Sequence, residues 1–420
     1  MRILFIHQNM PGQFTHLMKA LCEDPAHEVW ALGEQAAAER CARVHPRIRI
    51  LSYQMGAPET PPNPHAYLQD ADAHVRRGQT VARALLQLKS HGRVPDLVVA
   101  HPGWGEALFV KDVFPGVPLL GYFEFFFAAQ GADVGFDPEF PSSLDNALRL
   151  RMRNALTLAV LDACDAGVSP TRWQHSRFPA VYADRIHVLH EGVDTDLLTP
   201  QPGARFEHEG EVYLAGDPVI SYVARNLEPY RGFHRFMRAL PALLRAHPRA
   251  RVIVVGGDGV SYGRKAPDGQ TWRQRLMAEI DAEAAKGGPG AAVDWSRVRF
   301  TGKLPYAQYV QVLRVSAVHV YLTVPFVLSW SMLETMSCGG LMVASATAPV
   351  QEVIEDGVNG HLVDFFDTDA LVERIGRALN DPAAQAPLRA AARATVVGRY
   401  DLKRHCLPQG LALLKRVAGG

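Results

Sequence analysis

Residues 219–259 read VISYVARNLEPYRGFHRFMRALPALLRAHPRARVIVVGGDG, and their order decides the fold. The β-branched run 219–224 predicts a buried strand. A turn through Pro229 and Gly232 follows. Residues 233–246 then carry apolar side chains at helical spacing, and 251–256 is a second β-branched run that opens into a glycine-rich turn. Strand, helix and strand in this order form a βαβ unit, whose two strands are parallel and whose helix covers one face.

The same alternation continues outward. Downstream, strands are predicted near 298–301, 318–322, 341–345 and 360–363, with helices at 271–285 and 369–380. Upstream lies a separate series, with strands near 2–7, 27–32, 96–101, 117–123, 166–168 and 186–190 and helices at 13–22 and 74–91. Two such series predict an α/β protein of two Rossmann-like, doubly wound domains. Between them, 199–217 carries Pro200, Pro202, Gly203, Gly210 and Gly216 and reads as a linker or hairpin. The boundary is therefore set at 200, giving domains over 1–200 and 201–399. The proline-rich segment 52–66 is too long for an ordinary connection and reads as an active-site loop or a mobile insertion; 286–291, KGGPGA, reads as a flexible loop.

Composition bounds the function. The 420 residues suit two cores, and 44 basic against 43 acidic residues leave a net charge of +1. No global field favours nucleic acid or a membrane, so a charged ligand must be met by a local site. Five scattered cysteines predict reduced thiols, no apolar run reaches the ~20 residues of a spanning helix, and MRILFIH reads as a strand rather than a signal peptide. A cytoplasmic protein is expected, and no metal-ligand spacing is diagnostic. The acids Asp133, Asp137 and Glu139 read as solvated loop acids, and the basic run LRLRMR at 148–153 as a helix face paired to Asp145 or Asp162, or as a weak contact with anionic lipid.

The second half holds the informative chemistry. ARNLEPYRG, at 224–232, sets Arg225 and Arg231 around a turn at a strand's carboxyl end. Guanidinium groups there suit a diphosphate, because their planar fork matches phosphate oxygens. RFTGKLPYAQ, at 299–308, offers backbone at Gly302, Lys303 and Leu304 to a base edge. In VPFVLSWSMLETMSCGG, at 324–340, Leu328, Ser329, Trp330 and Ser331 precede or open a helix whose first N–H groups suit a second phosphate. Glu334, one turn in, suits ribose hydroxyls.

Three features stand out in the first half. Gly12 follows the first strand and lets the chain approach an anion at a helix start. In HPGWGEALF, at 101–109, His101 ends a strand and Trp104 lies between two glycines. In YFEFFF, at 122–127, Glu124 sits among four phenylalanines, so its carboxylate must be paired, hydrogen-bonded or functional. Arg172 is a structural partner to consider.

Taken together, these runs resemble the retaining glycosyltransferases of family 4. GVD at 192–194, ARNLEPYRG, RFTGKLP, LETMSCG and APVQEVIEDGVNGHLV at 348–363 occur in that family's order. HPGWGEALFVKDVFP, YFEFFF, GFDPEFP and SPTRWQ resemble one subgroup. The resemblance implies the GT-B fold, two Rossmann-like domains facing across a cleft, with the last helix (400–420) completing the first. It implies a donor nucleotide sugar and an acceptor that is a glycan, a lipid-linked glycan or a small molecule, with no cofactor or metal. By it, Arg225 and Arg231 match the basic pair on the donor diphosphate, with arginine where lysine is usual in second place. Glu334 matches the second glutamate of Glu-x7-Glu, and Gly12 the glycine of the first loop. Arg225, Arg231 and Glu124 are then the catalytic candidates, and His101 and Trp104 fall on the acceptor or sugar side. Two departures are plain: Phe326 stands where the first glutamate would fall, and Glu124 where many members have histidine. A noncatalytic nucleotide-sugar-binding protein, or an epimerase or phosphorylase on the same fold, are the alternatives.

Overall fold

The structure, a computed structural model, describes residues 1–56, 64–287 and 292–419. The chain divides into two compact units, Met1–Gly192 with Leu402–Gly420, and Val193–Asp401.

In the first unit the parallel strands are β1 (Arg2–Ile6), β2 (Glu28–Glu34), β3 (Arg49–Tyr53), β4 (Leu97–Ala100), β5 (Leu119–Tyr122), β6 (Ala166–Ser169) and β7 (Ile186–Val188), in the order β3-β2-β1-β4-β5-β6-β7. Alternation along β1 feeds two cores. Leu4 and Ile6 pack with Val81, Leu85 and Val160 from the helices Gln69–Ser90 and Leu144–Ala163. Ile3 and Phe5 pack with Met18 and Leu21 from Thr15–Glu23 and with Leu413 and Leu414 from Leu407–Gly419. Both faces are thus covered, as a parallel sheet requires. The sequence reading lacks β3, a sheet-edge strand in which Tyr53 alone is buried.

The second unit begins with the antiparallel hairpin β8 (Arg205–His208) and β9 (Glu211–Leu214). Its turn residues Glu209 and Gly210 both have positive φ, 48° and 82°, which is the twist that a two-residue hairpin turn demands. The stretch 199–217 is therefore part of this unit, and the chain divides at Gly192/Val193. Then come the parallel strands β10 (Val219–Asn226), β11 (Arg251–Gly257), β12 (Val298–Gly302), β13 (Val318–Tyr321), β14 (Met342–Ser345) and β15 (His361–Val363), in the order β12-β11-β10-β13-β14-β15. The helix Phe233–Ala246 buries Phe233, Phe236, Met237, Leu240 and Leu244, a stripe at helical spacing. In both sheets the order reverses beside the first strand, where ligands of open α/β sheets sit at the carboxyl ends. The loop readings at 52–66 and 286–291 fall largely on 57–63 and 288–291, outside the described residues.

Candidate functional site

In the second unit β10 ends at Asn226, with a bulge in its pairing to β11 after Val223. The bulge leaves Arg225 exposed at the strand's end. Across β11, Gly257 packs beneath two side chains: an added Cβ would meet Lys303 Cε at 2.8 Å and Asn226 Oδ1 at 2.9 Å. The Lys303 ammonium thus lies over Gly257 beside Asn226, so β12 contributes a cation as well as its backbone. Gly302, with φ of 67°, turns the chain there and has open space around its Cα. Leu304 packs against the hairpin core.

Arg231 is held rather than free. Its Nη1 donates to Val327 O at 2.8 Å, Thr323 Oγ1 at 3.0 Å and Tyr321 Oη at 3.3 Å. Its guanidinium carbon lies 5.7 Å from the Phe326 ring centroid and 5.9 Å from that of Tyr262, within cation–π reach. Phe326, where a carboxylate was expected from the family pattern, is buried edge-on against Tyr230 and Tyr262. Glu228, fully buried three residues before Arg231, accepts backbone N–H bonds from Ser261, Tyr262 and Gly263 at 3.1, 3.3 and 2.8 Å. It clamps the loop after β11, which in turn carries Tyr262 to Arg231. Gly232, with φ of 66°, is required: a Cβ would stand 2.3 Å from that of Leu322.

The helix Trp330–Ser337 is N-capped by Ser329, whose Oγ accepts from Ser331 N at 3.4 Å and whose own N–H donates to Tyr321 Oη at 2.9 Å. Leu328 packs beside the adjoining core, and Trp330 is about half exposed. Glu334 accepts from the hydroxyls of Tyr306 at 2.8 Å and Tyr309 at 2.5 Å. Burial pushes its carboxyl up, and the two hydroxyl bonds oppose that rise.

In the first unit Gly12, His101, Trp104 and Glu124 follow β1, β4 and β5 and meet at one edge of the sheet. His7 Nδ1 accepts from Asn9 N at 2.8 Å, which leaves Nε2 to carry the proton and donate to Gln13 Oε1 at 2.8 Å. That fixes the amide so that Gln13 Nε2 donates to Glu124 Oε1 at 3.1 Å. His101 Nδ1 accepts from Gly103 N at 3.0 Å, and its Nε2 lies 3.7 Å from Glu124 Oε2. Trp104 stacks on His101, with centroids 4.6 Å apart and planes at 27°. Gly12, with φ of 51°, packs on His7, and a Cβ would stand 2.7 Å from Nε2. Burial alone would raise the Glu124 carboxyl. The neighbouring His101 and His7 rings and the Gln13 amide outweigh it and hold the group below the usual carboxylate range. Glu124 is therefore an anion near neutral pH, held by Gln13 and His101, where the sequence reading considered Arg172.

The basic run 148–153 lies within the helix Leu144–Ala163. Its Arg153 stacks 4.0 Å over the Phe127 ring, and Asp145 accepts the Tyr67 hydroxyl. Sequence reasoning missed His7, Gln13, Glu228, Tyr306, Tyr309 and the Lys303 side chain. The only sequence signal for His7 was its place at the end of a buried strand.

Residues 25–198 match the family described as glycosyl transferase family 4 group, and residues 205–395 match glycosyl transferases group 1. A GDP-mannose-dependent alpha-(1-6)-phosphatidylinositol monomannoside mannosyltransferase of Mycolicibacterium smegmatis is 27% identical over 242 residues, 53% of this chain and 55% of that protein. A D-inositol 3-phosphate glycosyltransferase of Catenulispora acidiphila is 27% identical over 241 residues, 56% of this chain and 53% of that protein. The chain spans about half the length of these curated relatives. Among solved structures, Anabaena HepE in complex with UDP superposes with a TM-score of 0.67 at 18% identity, covering 99% of this chain and 100% of that one. Sucrose-phosphate synthase from Thermosynechococcus elongatus does so with 0.72 at 17% identity, covering 100% of both. Two adjoining family matches, on a chain whose paired parallel sheets have the GT-B architecture of these neighbours, identify it as a member of the group 1 glycosyltransferases of family 4.

Proposed function

We propose that the chain transfers a glycosyl group from a nucleoside diphosphate sugar to an acceptor hydroxyl, with retained anomeric configuration. One observation carries the reading: Arg225, Arg231, Lys303 and the capped start of the helix Trp330–Ser337 all stand at the carboxyl edge of one sheet. Such groups suit an anion, and glycosyl transfer builds negative charge on a leaving diphosphate. The relatives support the donor class, since one is named for GDP-mannose and HepE was solved with UDP and UDP-glucose. Glu334, steadied by two tyrosine hydroxyls, is assigned to the ribose. Backbone around Leu328 and Ser329 takes the place of the side chain that Phe326 lacks.

In this reading the transition state is oxocarbenium-like. The leaving phosphate takes the acceptor proton, so neither a protein base nor a metal is obligatory. The ionised Glu124 favours positive charge at the reacting sugar and accepts a hydrogen bond from the acceptor hydroxyl. The acceptor is a glycan, a lipid-linked glycan or a small molecule. Among the described residues no helix is long and apolar enough to cross a membrane. A cytoplasmic protein with weak peripheral contact to the inner face of a membrane is consistent with this, through the helix Leu144–Ala163, where Leu144 and Arg149 are exposed.

The test is turnover with UDP-, GDP-, TDP- and ADP-sugars against a panel of acceptors, with products examined by NMR. An α-configured donor should give free nucleoside diphosphate and an α-linked product. Saturable donor binding without turnover on any acceptor would establish the binding-protein alternative. An epimerised donor or a free sugar phosphate would establish the others.

A further inference from the structure

The turn that carries His101 and Trp104 is seated on the helix Gln69–Ser90. The seat is backbone on backbone. Gly105, with φ of 103°, has no room for a side chain, since a Cβ would stand 2.1 Å from the His74 carbonyl oxygen. Gly78 on the helix is placed as tightly, and a Cβ there would stand 2.7 Å from Gly105 O. Arg77, beside Gly78, reaches the same turn through its side chain: Nη1 donates to Trp104 O at 2.9 Å. Trp104 is the last residue of the turn Pro102–Trp104, so this bond fixes where the turn ends.

Two carboxylates compete for that guanidinium. Glu106 Oε1 lies 3.9 Å from Arg77 Nε, and Glu34 Oε1 lies 3.6 Å from it. They differ in burial. The Glu106 side chain is fully buried, whereas that of Glu34 is 34% exposed. A carboxylate out of water must be compensated within the protein. Glu106 therefore depends on Arg77 and on the Tyr53 hydroxyl, which donates to its Oε1 at 3.1 Å. Glu34 has solvent to compensate it. Glu106 and the Trp104 carbonyl stand two residues apart in the chain, so one planar guanidinium serves both.

We propose that Arg77, drawn inward by Glu106, is a positioning residue for the first-unit site: it fixes the end of the 101–104 turn, so that the Trp104 indole lies on His101 and His101 faces Glu124. The links are short. Trp104 and His101 stack with centroids 4.6 Å apart, and His101 Nε2 lies 3.7 Å from Glu124 Oε2. A misplacement of about 1 Å at a reacting group can cost on the order of 100-fold in rate, so a turn free to drift is felt at Glu124. Neither Arg77 nor Glu106 has to touch substrate for this. The catalytic consequence rests on the acceptor-side role given to Glu124.

The full chain labelled with 5-fluorotryptophan tests the positioning by fluorine NMR, the Trp104 line being assigned by its loss in Trp104→Phe. Arg77→Met strands the buried Glu106 charge, so it is paired with the double variant Arg77→Met/Glu106→Gln, which removes both charges. In each folded variant the Trp104 line should shift or broaden while the other tryptophan lines hold. Glu106→Gln alone should do the same, because Arg77 then turns to Glu34; Glu34→Gln should leave the Trp104 line in place. In the variants that move the line, kcat should fall roughly tenfold with donor KM unchanged. An unmoved Trp104 line in the folded double variant, a shift in Glu34→Gln as large as in Glu106→Gln, or a normal kcat with the line displaced would overturn the proposal. No turnover in the wild-type chain would sink glycosyl transfer, and a displaced Trp104 line would still uphold the positioning of the turn.

Discussion

After β1, β4 and β5 the first unit presents two imidazoles, an indole, an amide and one carboxylate, joined in a single hydrogen-bonded and stacked group. After β10 and β12 the second unit presents two guanidinium groups and an ammonium, set among glycines, tyrosines and backbone carbonyls. The sheets share one plan, so the difference lies in the loops. In the second unit the charges belong to guanidinium and ammonium groups, which suit an anion. In the first, the charge within this group is that of Glu124, and its environment is set by how neighbouring rings and an amide are turned. In the proposed reaction one sheet edge holds the donor's anion and the other meets a developing charge.

The largest effects should come from the holding edge, where the two arginines separate in kind. Arg225→Ala should cost on the order of 100- to 1000-fold in kcat/KM, with Tm unchanged, since Arg225 is exposed. Arg231→Ala should cost at least as much. The chain should still fold, but with Tm lowered by several degrees, because Tyr321, Thr323 and Val327 lose their common donor. Initial rates and calorimetry on both variants check this. Near-normal turnover in Arg231→Ala would make that residue scaffold only and leave Arg225 and Lys303 as the anion site.

Glu124→Gln tests the responding edge. The amide keeps the shape and loses the charge. Turnover should fall roughly tenfold to a hundredfold while donor affinity stays put. Pre-steady-state rates and donor titration separate the two. A weakened donor with intact turnover would move Glu124 to the binding side and erase the contrast between the units.

Most parallel strands were legible because both faces are buried, so they read as continuous apolar runs. β3 was not, since as an edge strand it shows Arg49, Ile50 and Ser52 to solvent and has no such signature. Arg225, Arg231 and Glu334 could be named because each sits in a short run that fixes its place at a strand end or helix start. What holds them could not. Tyr306 and Tyr309 reach Glu334 from 28 and 25 residues upstream, and Gln13 meets Glu124 across 111. Such pairs are made by strand order, which local periodicity does not encode. Glu228 shows the limit most clearly: it lies inside the ARNLEPYRG run, yet its role is set by three N–H groups on the next loop.

Glu228→Gln should therefore have a middling effect. One oxygen becomes an amide nitrogen that cannot accept, so part of the clamp on Ser261–Gly263 opens and Tyr262 shifts from Arg231. Stability should fall by roughly 1–2 kcal/mol, and donor KM should rise several-fold with kcat little changed. Chemical denaturation and steady-state kinetics read the two. A fall in kcat equal to that of Arg231→Ala would mean that the loop acts in the chemistry itself.

The smallest effect is a difference in acid sensitivity. Burial lowers His74 and His190 in the first unit to about 4, and His319 in the second to about 3. A histidine kept neutral by the fold contributes stability that is present above its unfolded pKa, near 6.5, and lost as pH falls toward the folded value. From pH 7 to 6 each such group should cost roughly 0.7 kcal/mol, since the unfolded chain takes up a proton that the folded one refuses. With His187 of the first unit also lowered by burial, three such groups against His319 give the first sheet the larger loss, by roughly 1 kcal/mol. Hydrogen exchange of the core strands β1 and β4 against β10 and β13, corrected for intrinsic rates, resolves it. Equal losses in the two sheets would mean that the units open as one cooperative body, and the contrast between their edges would then be chemical alone, with no counterpart in stability.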